Sequence, residues 1–131
     1  MSAASTVLAL AGAGAAGALL RYLVGVALPA RRSIPWGVLV VNTLGSLIAG
    51  AAVAAVDDPT VRLLVVSGFC GGLTTFSTQA VDTVRLASGE IGSPDRSAPV
   101  RRALAGANVA ANLVLSLAAA TAGFAFAGTL A

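Results

Sequence analysis

At 131 residues, with 57% hydrophobic and only 10% charged side chains, the chain cannot cover a soluble globule, whose charged fraction is roughly 25%. Histidine and lysine are absent and Cys70 is the only cysteine, which excludes an internal disulfide, a thiolate metal cluster and the commonest metal ligand and general base. The net charge of +3 is too sparse for nucleic-acid binding and serves instead as a signal of membrane orientation.

The length admits one domain over residues 1–131, made of four spans of about 20 residues each joined by short loops. Met1-Ser2-Ala3-Ala4-Ser5 lacks the basic opening of a cleaved signal peptide, so the first apolar run reads as a retained helix. That span, residues 6–28, is mostly Ala, Gly, Leu and Val and is closed by Pro29. Its Gly12, Gly14 and Gly17, with Ser46 and Gly50 in the second span, let helix backbones approach in lipid. The second span, residues 36–56, opens with Pro35 in a first-turn position and Trp36 as an interfacial aromatic. Asp57-Asp58-Pro59 makes a tight polar loop. The third span, residues 60–86, carries two adjacent glycines, Gly71 and Gly72, then Thr74, Thr75, Ser77 and Thr78. Such a run makes a poor continuous helix, so a break mid-membrane is predicted there. Irregular backbone at that depth is tolerated only where it lines a cavity or binds an ion. Residues 87–99 form the one long loop, and residues 100–128 the fourth span.

Orientation follows from arginine. Arg31, Arg32, Arg96, Arg101 and Arg102, with Arg85 at the same boundary, flank the loops after the first and third spans; Arg62 alone lies near the other side. The positive-inside rule then places both termini outside the cell membrane, in one fixed orientation.

Four sets of polar side chains fall inside the spans. Arg21 and Asp82 lie at similar depth and are expected to form an ion pair or a charged vestibule, snorkelling of Arg21 being the alternative. Asn42, with two N–H donors and an acceptor oxygen, serves either a solute or an interhelical hydrogen bond. The 71–78 stretch is the third set. Asn108, Asn112 and Ser116 recur every four residues and share one face of the fourth span, as the wall of a solute path or a helix seam. Phe76 sits among the hydroxyls; its ring edge can meet an anion and its face a cation.

With those residues in hand, the chain resembles the CrcB/Fluc family of fluoride channels over nearly its whole length. The carriers are Gly14-Ala15-Ala16-Gly17-Ala18-Leu19-Leu20-Arg21-Tyr22, Trp36-Gly37-Val38-Leu39-Val40-Val41-Asn42-Thr43-Leu44-Gly45-Ser46, and Gly68-Phe69-Cys70-Gly71-Gly72-Leu73-Thr74-Thr75-Phe76-Ser77-Thr78. The resemblance implies an all-α membrane protein of four transmembrane helices, the third broken mid-membrane, assembled as an inverted (antiparallel) dimer. It implies passive export of cytoplasmic fluoride through two pores, with a structural sodium ion at the dimer interface. On the family's pattern Gly71 and Thr74 supply backbone oxygens to that sodium. Asn42 takes the place of the pore asparagine and Phe76 that of the first pore phenylalanine, with Thr75 and Ser77 in the same polar stretch. Asp82 stands where the family usually has glutamate, and Asn112 where it often has serine. Asn108, Asn112 and Ser116 would continue the anion path.

One departure bears on assembly. The family pattern has a second phenylalanine three residues after the first, and here that position is Gln79. A homodimer would lack half of each aromatic pair, and a chain with a fixed arginine bias does not easily pair with an inverted copy of itself. A heterodimer with an oppositely oriented paralogue is therefore expected. Two other readings stay open: a non-conducting subunit that completes a partner's pore, and a small proton-coupled drug exporter, which would need a carboxylate in the first span. An enzyme is not expected, because no nucleophile sits beside a base.

Overall fold

The structure, a computed structural model, describes residues 2–30, 34–92 and 95–130. Arg31 and Arg32, on which part of the orientation reading rests, lie outside the described residues. Among the described residues helix is the only regular secondary structure, with no strand. Four stretches are long and apolar enough to cross a membrane: Ala3–Ala27, Trp36–Ala55, Pro59–Ser88 and Ala98–Gly128.

Helix α1 (Ala3–Ala27) starts where Ser2 Oγ accepts the Ser5 N–H at 3.2 Å. It stops ahead of Pro29, whose ring disfavours helical geometry in the residue before it. Helix α2 (Trp36–Ala55) follows the buried Pro35. Asp58 then caps α3 (Pro59–Leu63), its Oδ1 accepting from the N–H groups of Thr60 (2.7 Å) and Val61 (2.9 Å). Beyond α3 the helix widens into a π-helical segment, Leu64–Cys70, and tightens again for one turn, α4 (Gly71–Leu73). Thr74 adopts extended geometry (φ −80°, ψ 158°), and helix resumes at α5 (Ser77–Ser88). Gly89, at φ 87°, takes the left-handed conformation that ends α5. Helix α6 (Ala98–Gly128) has 31 residues. At 1.5 Å per residue it is about 46 Å long, well beyond a hydrocarbon core of about 30 Å.

The burial pattern is inverted relative to a water-soluble bundle. Large apolar side chains such as Leu8, Leu23, Val26 and Phe126 point outward, while Thr75, Gln79, Asp82, Asn108 and Asn112 are buried. Lipid is the solvent that suits such a surface. The helices are joined by small residues rather than by a large apolar core. Helix α2 packs mainly on α6, where Gly50 lies directly against the Ala120 carbonyl and Gly123 against the Leu47 carbonyl. Helix α1 packs on the π segment and α4, where Gly17 lies against the Phe69 carbonyl and Gly72 against the Gly14 carbonyl. A side chain at any of these four positions would strike backbone. Gly12, in contrast, faces open space. Helix α5 rests on α6.

Candidate functional site

The site begins where α4 ends. Thr74 still bonds back to Cys70 O through both its N–H and its hydroxyl, each at 2.9 Å. The next amide does not follow. Thr75 N–H donates to Asn42 Oδ1 of α2 at 2.8 Å, and Asn42 Nδ2 returns a hydrogen bond to Thr75 O at 3.1 Å. The side-chain amide thus pairs with Thr75 as a neighbouring peptide group would, satisfying backbone groups that leave the helix. Thr75 Oγ1 is donor to Thr78 Oγ1 (3.1 Å), acceptor from Thr78 N–H (3.2 Å), and 3.4 Å from Ser77 Oγ.

Asn42 is also the first member of a directed chain of donors. Its second Nδ2 hydrogen goes to Asn112 Oδ1 at 3.0 Å. Asn112 Nδ2 donates to the Asn108 carbonyl (3.0 Å) and reaches its Oδ1 (3.3 Å). Asn108 Nδ2 donates to Thr83 Oγ1 (2.9 Å), whose hydroxyl donates to Gln79 O (2.8 Å). In the single chain both amide hydrogens of Asn42 are given to protein oxygens. Its place is to fix Thr75 and orient Asn112.

Beside this network lies a cavity of about 640 Å³. Of the residues expected on an ion path, Asn42, Thr75, Phe76, Asn112 and Ser116 line it, together with Thr74. Ser77 and Asn108 do not: Ser77 is exposed, and Asn108 is buried behind Asn112 in the hydrogen-bonded chain. Two lining residues, Ser46 and Gln79, were not among the expected path residues. The signal for both was spacing: Ser46 is one turn from Asn42, and Gln79 one turn from Thr75. The rest of the wall is apolar, from Val109, Leu113, Leu117 and Ala120.

Among the described residues no charged side chain lines the cavity. Arg21 sits behind its rim and donates from Nη1 to Thr74 O at 3.2 Å. The expected ion pair between Arg21 and Asp82 is not formed; Asp82 is buried on α5, and the ion pair among the described residues is the exposed Arg85–Glu90 contact at 3.6 Å. No group of three or more His, Cys, Asp or Glu residues comes together among the described residues. A cation here would have to be held by backbone oxygen. The donor set near α4 suits that role in part. With Thr75 N–H diverted to Asn42, the Gly71 carbonyl loses its helical donor, and the Thr74 carbonyl keeps one lone pair beyond the Arg21 contact.

Comparison with known proteins adds an independent line. Residues 8–124 match the family described as CrcB-like protein, Camphor Resistance (CrcB). The fluoride-specific ion channel FluC of Methanopyrus kandleri is 39% identical over 117 residues, covering 86% of this chain and 81% of that protein. The protein of the same name from Chromobacterium violaceum is 47% identical over 87 residues, 62% of this chain and 69% of its own length. Fluoride-specific ion channel FluC 1 of Thermobifida fusca is 49% identical over 83 residues, again 62% and 69%.

Proposed function

The chain belongs to the CrcB family, and from that membership we propose that it is one subunit of a passive, fluoride-selective channel that lets fluoride leave the cytoplasm. The observation that carries the reading is the cavity wall: neutral hydrogen-bonding side chains and apolar surface, with no fixed charge, at the point where α4 gives way to extended backbone.

Fluoride is small and tightly hydrated, and stripping its water inside a low-dielectric pore is costly by the Born argument. Neutral donors can replace that water without trapping the ion. The hydroxyls of Ser46 and Ser116 lie on the wall and can serve in this way, and the Asn42–Asn112 pair holds the wall in place. A full positive charge in the path would bind too tightly for conduction. Arg21, set back on Thr74 O, raises the local potential for an entering anion without lying in its way. The exposed ring of Phe76 can add weak positive potential through its edge on the open side.

The assembly proposed is an inverted pair with an oppositely oriented paralogue, both termini of this chain lying outside. Support comes from the excess of arginine around the loops after the first and third spans, from Gln79 at the second aromatic position, and from the numbered name of the Thermobifida fusca relative. The interruption at residues 74–76 is placed mid-membrane, facing the partner. Sodium is proposed on the backbone oxygens of Gly71 and Thr74 at that interface; when bound it would supply fixed positive charge joining the two subunits.

The test is fluoride efflux from liposomes, read with a fluoride electrode, for this chain alone and with a paralogue of opposite arginine bias. The pair should conduct and Asn42→Leu should cut its flux by at least about 100-fold, since Thr75 and Asn112 lose their partner in a desolvated site. Unchanged flux would sink the reading. Placing Asn42→Leu in this chain only separates a conducting subunit, which loses its own pore, from one that merely completes the partner's.

A further inference from the structure

Gln79 is the residue the channel reading leaves without a task. It lies in the first turn of α5, is only 6% exposed, and lines the cavity. Its backbone oxygen accepts from Thr83, and its side-chain amide, open to the cavity rather than sealed, makes no hydrogen bond among the described residues. A Gln at this helical position commonly folds back to cap the residue before the helix. Here α5 has no side-chain cap at Phe76, and the Gln79 amide turns to the cavity instead. An amide turned without a partner to a cavity within a membrane-spanning segment is costly, so its retention calls for something to bind.

The surroundings select the sign of that ligand. The start of α5 sets the positive end of its helix dipole beside the cavity, which Phe76 and Gln79 line. Arg21 reinforces that potential from behind Thr74. Asp82, the nearest acid on α5, does not line the cavity. Asn42 and Asn112 have already spent their N–H donors on protein oxygens. Gln79 therefore holds the side-chain N–H donors on this wall that remain uncommitted, beside the hydroxyls.

We infer that Gln79 is an anion ligand of this chain's cavity, its Nε2 hydrogens meeting a small, strongly hydrated anion and helping to set which anions enter. The inference rests on the channel reading for the identity of the ion, fluoride, and makes this chain's wall an ion-binding surface rather than filler beside a partner's pore.

The experiment uses the full chain in lipid nanodiscs, with and without its paired paralogue. The 19F line of added sodium fluoride reports binding, and efflux from liposomes carrying the same samples reports conduction. Gln79→Met keeps the shape and removes the donors; Gln79→Glu keeps the shape and adds repulsion. Wild type should broaden the 19F line, Gln79→Met should weaken fluoride binding about tenfold or more, and Gln79→Glu should lose it further. Wild-type-like broadening in both variants would overturn the inference, as would a wild-type chain that leaves the line sharp. If either variant fails to assemble by gel filtration, the other decides. Should wild type bind fluoride in a Gln79-dependent way while its vesicles retain the ion, the conduction reading falls and the ligand assignment stands.

Discussion

Residues 59–73 and Ser77–Ser88 belong to one span, yet they are held by different means. The first part is seated against α1 through backbone itself, with Gly17 on the Phe69 carbonyl and Gly72 on the Gly14 carbonyl. The second leans on α6 through side-chain groups, Asn108 donating to Thr83, and leaves Phe76 82% exposed. Backbone seams tolerate no added volume and fix the position of the chain end at Thr74. Hydrogen bonds between amides tolerate volume but demand orientation. The span is therefore rigid up to the point where the cavity begins and chemically adjustable beyond it.

The hardest blow to that contrast should come from one methyl group. Gly17→Ala puts a Cβ onto the Phe69 carbonyl and 2.8 Å from Leu73 N, and backbone cannot rotate away as a side chain would. The expected cost is about 3 kcal/mol, the upper end of ordinary overpacking. Gly12→Ala meets nothing and should be neutral or stabilising, by up to about 1 kcal/mol from helix propensity. Unfolding titrations in mixed micelles measure both. Equal stabilities would mean that the seam is looser than its geometry.

A smaller effect on folding, with a large one on flux, should follow from Asn112→Ala. It removes the acceptor for Asn42 and the donor to Asn108, in a setting where an interhelical hydrogen bond averages about 0.6 kcal/mol and reaches about 1.7. The protein should still assemble, losing about 1–2 kcal/mol, while fluoride efflux drops because Asn42 is no longer oriented. A variant that conducts normally would show that the amide chain is a seam alone.

The same contrast explains what the sequence could tell. Four apolar helices were legible, because hydropathy over some 20 residues depends on no partner. The shared face of Asn112 and Ser116 was legible from a spacing of four. The π-helical turn over Leu64–Cys70 was not: its residues carry no local signature, and it lies where the span packs closely on α1 through glycine. Nor could the sequence say which of Asn42's hydrogens were free. That depends on Thr75 and Asn112, which lie 33 and 70 residues away along the chain. Arg21 shows the same limit. Its depth suggested Asp82 as partner, and the fold offered the Thr74 carbonyl instead.

The subtlest departure from the contrast is Thr43, next to the well-satisfied amide of Asn42. Its Oγ1 is sealed from solvent and has no hydrogen-bond partner, while Asn42 makes three hydrogen bonds. A threonine in a helix ordinarily returns its hydroxyl to the carbonyl one turn back, and this one does not. Thr43→Val keeps the branched shape and deletes the orphaned group, so the expected result is a gain of roughly 1 kcal/mol, the desolvation cost no longer incurred. Flux should be unchanged, since Thr43 does not line the cavity. The two measurements separate two causes. A gain in stability means that the hydroxyl is unpaired in the working protein. A loss means that the hydroxyl finds a partner in the membrane that the single chain does not supply, and α2 would then carry part of the surface proposed to meet a second subunit.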